Sequence, residues 1–306
     1  MRIGVDLLGS DTAPHQIYQG ILDAEERLGK GMHFHPYGTE SLQESLFHNP
    51  AFHFELVEEA ILMDDNPLTA IRRKKNSSIY RGIQDLKSGK IDVFISCGNT
   101  GALVALATIQ LDLLPGISRA GLLATLPTAN GYTHVIDVGG STSMNKEHLI
   151  QFTRLGVDHL RQKKGIKIPR VALLNIGTES LKGTPEHQRL YQHLKEHQEG
   201  FVFLGNTEGK QVFSGDIDLV VTDGFTGNIF LKTAEGASHF LVKELERKLT
   251  LEENRLLSPH FKRFSTQFSQ SAYPGAYLLG LKQALIKCHG NTTSETIKNA
   301  IIDVCE

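Results

Sequence analysis

The chain has 306 residues, of which 40% are apolar and 22% charged, and its formal net charge is −2 at pH 7. Such a balance belongs to a soluble globular protein, long enough for one large α/β unit or two lobes sharing a core. It excludes nucleic acid as a partner drawn by global charge, and no apolar run approaches the ~18–20 residues that span a bilayer.

The first predicted strand begins at Arg2, in "MRIGVDLLG", without the pattern of a signal peptide, and a helix over about 14–28 follows. Strands from Met32 and Phe52 precede a helix over about 67–88, and a strand from Ile91 leads into a helix over about 100–113. Further strands begin at Leu122, His134, Arg170, Phe201, Asp218 and Gln283, interleaved with helices over about 146–163, 185–198, 226–250 and 293–303. This alternation predicts a mostly parallel sheet with helices on both faces. No repeat or Pro/Gly/Ser-rich linker cuts the chain, so residues 1–306 read as a single two-lobed domain with a helical excursion at about 240–272.

Cys97, Cys288 and Cys305 are far apart and odd in number. They draw neither a disulfide framework nor a zinc spacing, which fits a reducing cytosol. Among the 14 histidines, His33 and His35 alternate as an exposed strand face would, and His193 and His197 stand four apart on a polar helix. Neither pair has a carboxylate placed as a third ligand, so no metal is expected.

Several strands share one kind of ending. "DLLGSDTAP" (6–14), "SCGNTG" (96–101), "GGSTS" (139–143), "GFTGN" (224–228) and "HGNTTS" (289–294) each combine Gly with Ser, Thr or Asn before a helix. The first N–H groups of a helix lack internal partners and carry the positive end of its dipole. Glycines let a ligand approach, and hydroxyls or amides add donors. In an open parallel sheet such loops lie at the carboxyl edge, where ligands bind. Any one loop is also explained as an ordinary helix cap, but five together point to a small anion. None carries a Walker A or dinucleotide glycine pattern.

These loops and their neighbours resemble the PlsX phosphate acyltransferase family. The resemblance is carried by "DLLGSDTAP", "IRRKKNSSI" (71–79), "SCGNTGAL", "DVGG", "NIGTES-LKG" (175–183), "FLGNTEG" (203–209), "TDGFTGNIFLKTAEG" (222–236) and "YPGAYLLGLKQALIKCHG" (273–290). It implies transfer of a long acyl chain from the thioester of acyl carrier protein to inorganic phosphate. The acyl phosphate product then passes to a membrane glycerol-3-phosphate acyltransferase. It also implies a two-lobed α/β/α sandwich like phosphotransacetylases and isocitrate/isopropylmalate dehydrogenases, acting as a homodimer without a cofactor.

Within that resemblance, Ser78, Asn99, Thr100 and Gly101 are expected to cradle phosphate, with Gly139 and Gly140 as further binding residues. Thr226, Gly227 and Asn228 are assigned to the thioester carbonyl, and Asp223 to orienting a donor or handling the thiol proton, with a structural helix cap as the alternative. Lys182 and His289 are candidates for charge neutralisation. Cys97 reads as a small buried filler rather than a nucleophile, since the family commonly has alanine there. The chain departs from the family's usual residues at Ser10, Thr12, Ala120, Gly140, Ser141, Ser143, Asn291 and Thr292. A degenerate, non-catalytic binder of carrier or membrane is therefore an alternative, as is a short-chain acyl-CoA phosphotransacylase.

Two surfaces complete the reading. Arg72, Arg73, Lys74 and Lys75 place four cations in one helical turn, suited to docking the acidic carrier. Leu257, Phe261, Phe264 and Phe268 form an apolar stripe around Lys262 and Arg263, for a second copy or an anionic membrane. The expected place is the cytosol, with peripheral membrane attachment as an addition.

Overall fold

A computed structural model describes residues 1–29, 31–46, 52–141, 144–268 and 275–305. Residues 1–120 hold β1 (Arg2–Asp6), α1 (Pro14–Leu28), β2 (His33–Gly38), α2 (Glu40–Leu46), β3 (Glu55–Leu56), α3 (Pro67–Arg73), α4 (Ser78–Ser88), β4 (Val93–Ser96) and α5 (Thr100–Gln110). Residues 121–272 hold β5 (Gly121–Thr128), β6 (Gly131–Ile136), α6 (Lys146–Lys163), β7 (Arg170–Leu174) and α7 (Pro185–Glu196). They continue with β8 (Val202–Thr207), β9 (Leu219–Val221), α8 (Gly224–Lys248) and α9 (Leu251–Phe268). The chain closes with β10 (Ala276–Leu279), β11 (Ala284–Lys287) and α10 (Ser294–Cys305).

Two compact units result: residues 1–120 with 273–306, and residues 121–272. In the first, the strand order is β3-β2-β1-β4-β11-β10, parallel except where β10 pairs with β11. In the second, it is β5-β6-β9-β7-β8, parallel except for the β5–β6 hairpin. The mostly parallel α/β reading holds.

Period-two alternation sorts the first unit's strands. Ile3, Val5, Leu7, Ile95, Cys97, Ile286 and Cys288 enter one core with Ile17 and Ile21 of α1 and Ile297 and Ile301 of α10. The intervening residues face α4, where Gly82 lies against the Phe94 ring closely enough that a Cβ would overlap it. In the second unit, Gly156 lets α6 settle on Leu219 of β9.

Some expectations are corrected. The helix over 67–88 is two helices, because Asn66 caps α3 and Ser77 caps α4, and the chain turns at Lys74 between them. The strand expected from Phe52 is only the short β3, with Phe52 in a single bridge to Phe34. α2 and β10 carried too little periodicity to be seen. His35 is buried rather than exposed, its Nδ1 2.9 Å from Glu55 Oε1, because both faces of β2 are covered. Of the apolar stripe, Leu257 is exposed and Phe261 half-buried on α9; the side chains of residues 262–268 lie outside the described residues, as do Ser143 and Tyr273.

Candidate active site

In the first unit, β1, β4 and β11 run parallel and end together, and each ends on a buried polar residue: Asp6, Ser96 and Lys287. All three belong to the face turned toward α4. The Asp6 carboxylate accepts from Ser96 Oγ at 2.7 Å and from the Leu8 N–H at 3.0 Å. Ser96 Oγ accepts in turn from the Gly98 N–H at 3.1 Å. Lys287 Nζ donates to the carbonyl oxygens of Cys97, at 3.4 Å, and Cys288. Ser78 opens α4 near Asp6, close enough to favour the charged carboxylate, but its buried Oγ has no well-formed hydrogen bond. Burial pushes the Asp6 carboxyl above its ordinary range, against the pull of the Ser78 and Ser96 hydroxyls, the Leu8 amide and the Lys287 charge.

The loops above this layer are tied to each other. The Asp11 N–H donates to Gly290 O at 3.0 Å, and Thr12 Oγ1 both donates to Thr292 O and accepts from the Thr292 N–H at 2.8 Å. His289 is half-buried in the second of these loops. Asn99 caps α5, its Oδ1 accepting from the Ala102 N–H, while its Nδ2 donates to the carbonyls of Leu62, Met63 and Asp65. Its side chain is thus occupied in shaping the rim. Thr100 is half-exposed at the first position of α5, and a Cβ at Gly101 would lie 2.7 Å from Pro67 Cγ, so that glycine serves the packing of α3 on α5. The Cys97 thiol is held well above its ordinary range, first by the Cys288 thiol and then by burial. It is the buried filler expected.

The second unit repeats the device. Asp137 follows β6 and is fully buried. Its Oδ1 accepts from the N–H groups of Leu122 (3.0 Å), Gly139 (3.1 Å) and Gly140 (2.7 Å), and its Oδ2 from Ser141 Oγ (2.8 Å). Burial raises its proton affinity and these donors lower it, burial being the stronger. The amides of Gly139 and Gly140 are therefore occupied, and what these residues offer is close approach.

α8 begins on top of this loop. A Cβ at Gly224 would lie 2.6 Å from Asp137 Oδ2, and one at Gly227 would overlap the Asp137 carbonyl oxygen. Asp223 caps the helix, accepting from the Thr226 N–H at 2.9 Å and from Thr226 Oγ1 at 2.7 Å. One turn on, Asn228 is exposed, with Nδ2 3.3 Å from where a Cβ of Gly139 would stand. Among the described residues the amide has no hydrogen-bond partner, so it is available to a ligand. Lys182 is exposed in the loop after β7, 3.9 Å from Glu179, and Asn175 holds that loop by donating to Lys182 O at 3.0 Å.

The basic run is also corrected. α3 stops at Arg73, with Arg72, Arg73 and Lys75 exposed. Lys74 turns inward, Nζ donating to Asp65 Oδ2 at 2.6 Å and Ala60 O at 2.9 Å, and it holds the Asp65 carboxyl below its usual range. Asp6, Ser96, Asp137 and Lys287 were missed by sequence reasoning. Their signal was a polar residue closing an apolar strand, as in "IGVD", "HVID" and "ALIK".

The fold is that of the phosphotransacylases. Over 100% of this chain and 98% of its own, a branched-chain phosphotransacylase from Enterococcus faecalis superposes with a TM-score of 0.64 at 14% identity. A phosphotransacetylase from Staphylococcus aureus gives 0.60 at 16% identity, covering 98% of this chain and 92% of its own. Residues 1–305 match the family model described as fatty acid synthesis protein. A phosphate acyltransferase from Chlamydia pneumoniae is 38% identical over 99% of this chain and 93% of its own length. One from Bacillus licheniformis is 37% identical over 98% and 92%. The chain belongs to this acyltransferase family.

Proposed function

We propose that this protein transfers a long-chain acyl group from the thioester of acyl carrier protein to inorganic phosphate, giving acyl phosphate for phosphatidic acid synthesis. The observation that carries the reading is similarity along 99% of the chain to a phosphate acyltransferase. A hydrogen phosphate oxygen attacks the thioester carbonyl carbon, the C–S bond breaks, and the phosphate's proton ends on the carrier thiol. Phosphate is already an anionic nucleophile and a thiol of pKa about 8.5 leaves readily, so positioning and oxyanion stabilisation are the main needs. The half-exposed α5 start at Thr100 suits the phosphate, and the exposed Asn228 amide beside Gly139 suits the developing oxyanion. Arg72, Arg73 and Lys75 are the exposed cations for the acidic carrier.

Incubation of palmitoyl-carrier protein with the protein and phosphate, followed by brief hydroxylamine trapping, is expected to yield hydroxamate above the thioester's own background only when protein and phosphate are both present. Hydroxamate from acetyl-CoA alone would mark a short-chain phosphotransacylase, and none from either would mark a non-catalytic binder. Product made by this reaction suits direct hand-over to a membrane glycerol-3-phosphate acyltransferase, because an acyl phosphate hydrolyses in water. In keeping with that role, the protein works in the cytosol, as a homodimer near the membrane surface.

A further inference from the structure

We propose that Lys287 is a positioning residue of the first unit: its ammonium ties the carbonyls of Cys97 and Cys288, fixing the 97–101 and 288–293 loops in the form that receives phosphate. The phosphate role rests on the function proposed above. The arrangement itself rests on geometry. Lysine is almost never buried unless paired, yet Lys287 is 7% exposed at the end of the apolar strand "ALIK". The carbonyls that receive it belong to the residues that open the two glycine-bearing loops. The Cys288 N–H still donates to Ser96 O at 2.9 Å, so β11 and β4 remain paired to the very rim.

From this point orientation passes inward to the loop amides. Asp6 as a carboxylate receives the Ser96 hydroxyl, which frees the Ser96 oxygen to receive the Gly98 N–H. A Cβ at Gly98 would stand 3.4 Å from Asp6 Oδ2 and 2.9 Å from Ile79, which leaves the turn little room to rearrange. The groups acting on Asp6 are Ser78 from α4, Ser96 at the end of β4, the Leu8 amide from its own loop and Lys287 at the end of β11, and Cys97, just past β4 on the opposite face, feels its charge. Lys287 is the cation of that set. Its removal leaves the Ser78, Ser96 and Leu8 donors alone to oppose burial, so Asp6 takes up its proton at higher pH, and a neutral carboxyl no longer accepts from both Ser96 and Leu8 as an anion does.

The test compares K287M, K287R, D6N and the double variant D6N/K287M. kcat/KM for phosphate is measured against pH at saturating acyl-carrier thioester, and thermal unfolding is followed over the same pH range. In K287M the acid limb of kcat/KM is expected to move to higher pH, with KM for phosphate affected more than kcat. K287R restores most of the wild-type profile, and the double variant, having no carboxyl to titrate, loses the displaced limb. Unfolding reports the same pair without activity. Tm of K287M falls with rising pH through a range where the wild type changes little, because a native-state carboxyl of raised pKa loses stability as it ionises. An unmoved acid limb and an unmoved Tm profile in K287M would make Lys287 a mere filler and overturn the proposal. If K287M does not fold, D6N decides, since persistence of the wild-type acid limb in D6N also overturns it. Absence of acyl phosphate from the wild type would instead sink the functional reading, and the unfolding profiles alone would then judge the pair.

Discussion

Single atoms at Gly227 decide whether the second unit's rim can form. With hydrogen as its side chain, this residue lets the first turn of α8 rest on the Asp137 carbonyl oxygen; a methyl group would overlap that oxygen and stand 2.8 Å from Thr222 Cγ2. Both obstacles belong to packed structure, so Gly227→Ala is expected to lower stability by about 1–3 kcal/mol and to displace Asn228. Circular dichroism melting and the hydroxamate assay check this together, and full activity with an unchanged Tm would refute it. Asp137 allows a second expectation at this scale. Its folded-state pKa is raised by burial, so its contribution to stability is complete below the ordinary carboxylate range and lost as pH rises through the raised value. The Tm of wild type relative to Asp137→Asn should therefore be most favourable at acid pH and decline toward neutrality.

At the scale of elements, the sequence could show that capped helix starts exist but not which groups their loops would bind. "GFTGN" announced a capped helix start, and Asp223 does cap α8 through Thr226. That the amides of Gly139 and Gly140 would be drawn to Asp137 was not legible, because the partner is fixed by how α8 and the 137–141 loop fold back, not by local spacing. The run "RRKK" fails for a related reason. Helical periodicity continues through it, but Ser77 starts a new helix and Asp65 captures Lys74. This separates two lysines that are neighbours in sequence. Lys75→Glu is expected to raise KM for the carrier thioester in a salt-sensitive way without loss of Tm, as a steering charge would. Lys74→Ala should instead lower Tm modestly, since it loses both the Asp65 ion pair and the Ala60 carbonyl contact. If the two variants behave alike in melting and in salt-dependent kinetics, the distinction is wrong.

Across the whole chain, the alternation of apolar strands and helices was enough to reveal a mostly parallel α/β protein. β10 escaped because four residues with little burial give no period to read. Apolar exposure near the C-terminal third includes Leu257 of the expected stripe and residues outside it. Phe240, Leu241 and Leu245 on α8, with Leu256 and Leu257 on α9, are 40–70% exposed. Scattered exposed apolar residues need no explanation, but these five lie on two helices that pack together. In the homodimer proposed above a second copy would cover them by symmetry, since one surface can meet its own image about a two-fold axis. Phe240→Asp with Leu241→Ser is therefore expected to shift sedimentation from a dimer to a monomer while the circular dichroism spectrum stays folded. A membrane-binding patch would respond differently: the same substitutions would abolish flotation with anionic vesicles and leave the sedimentation coefficient where it was.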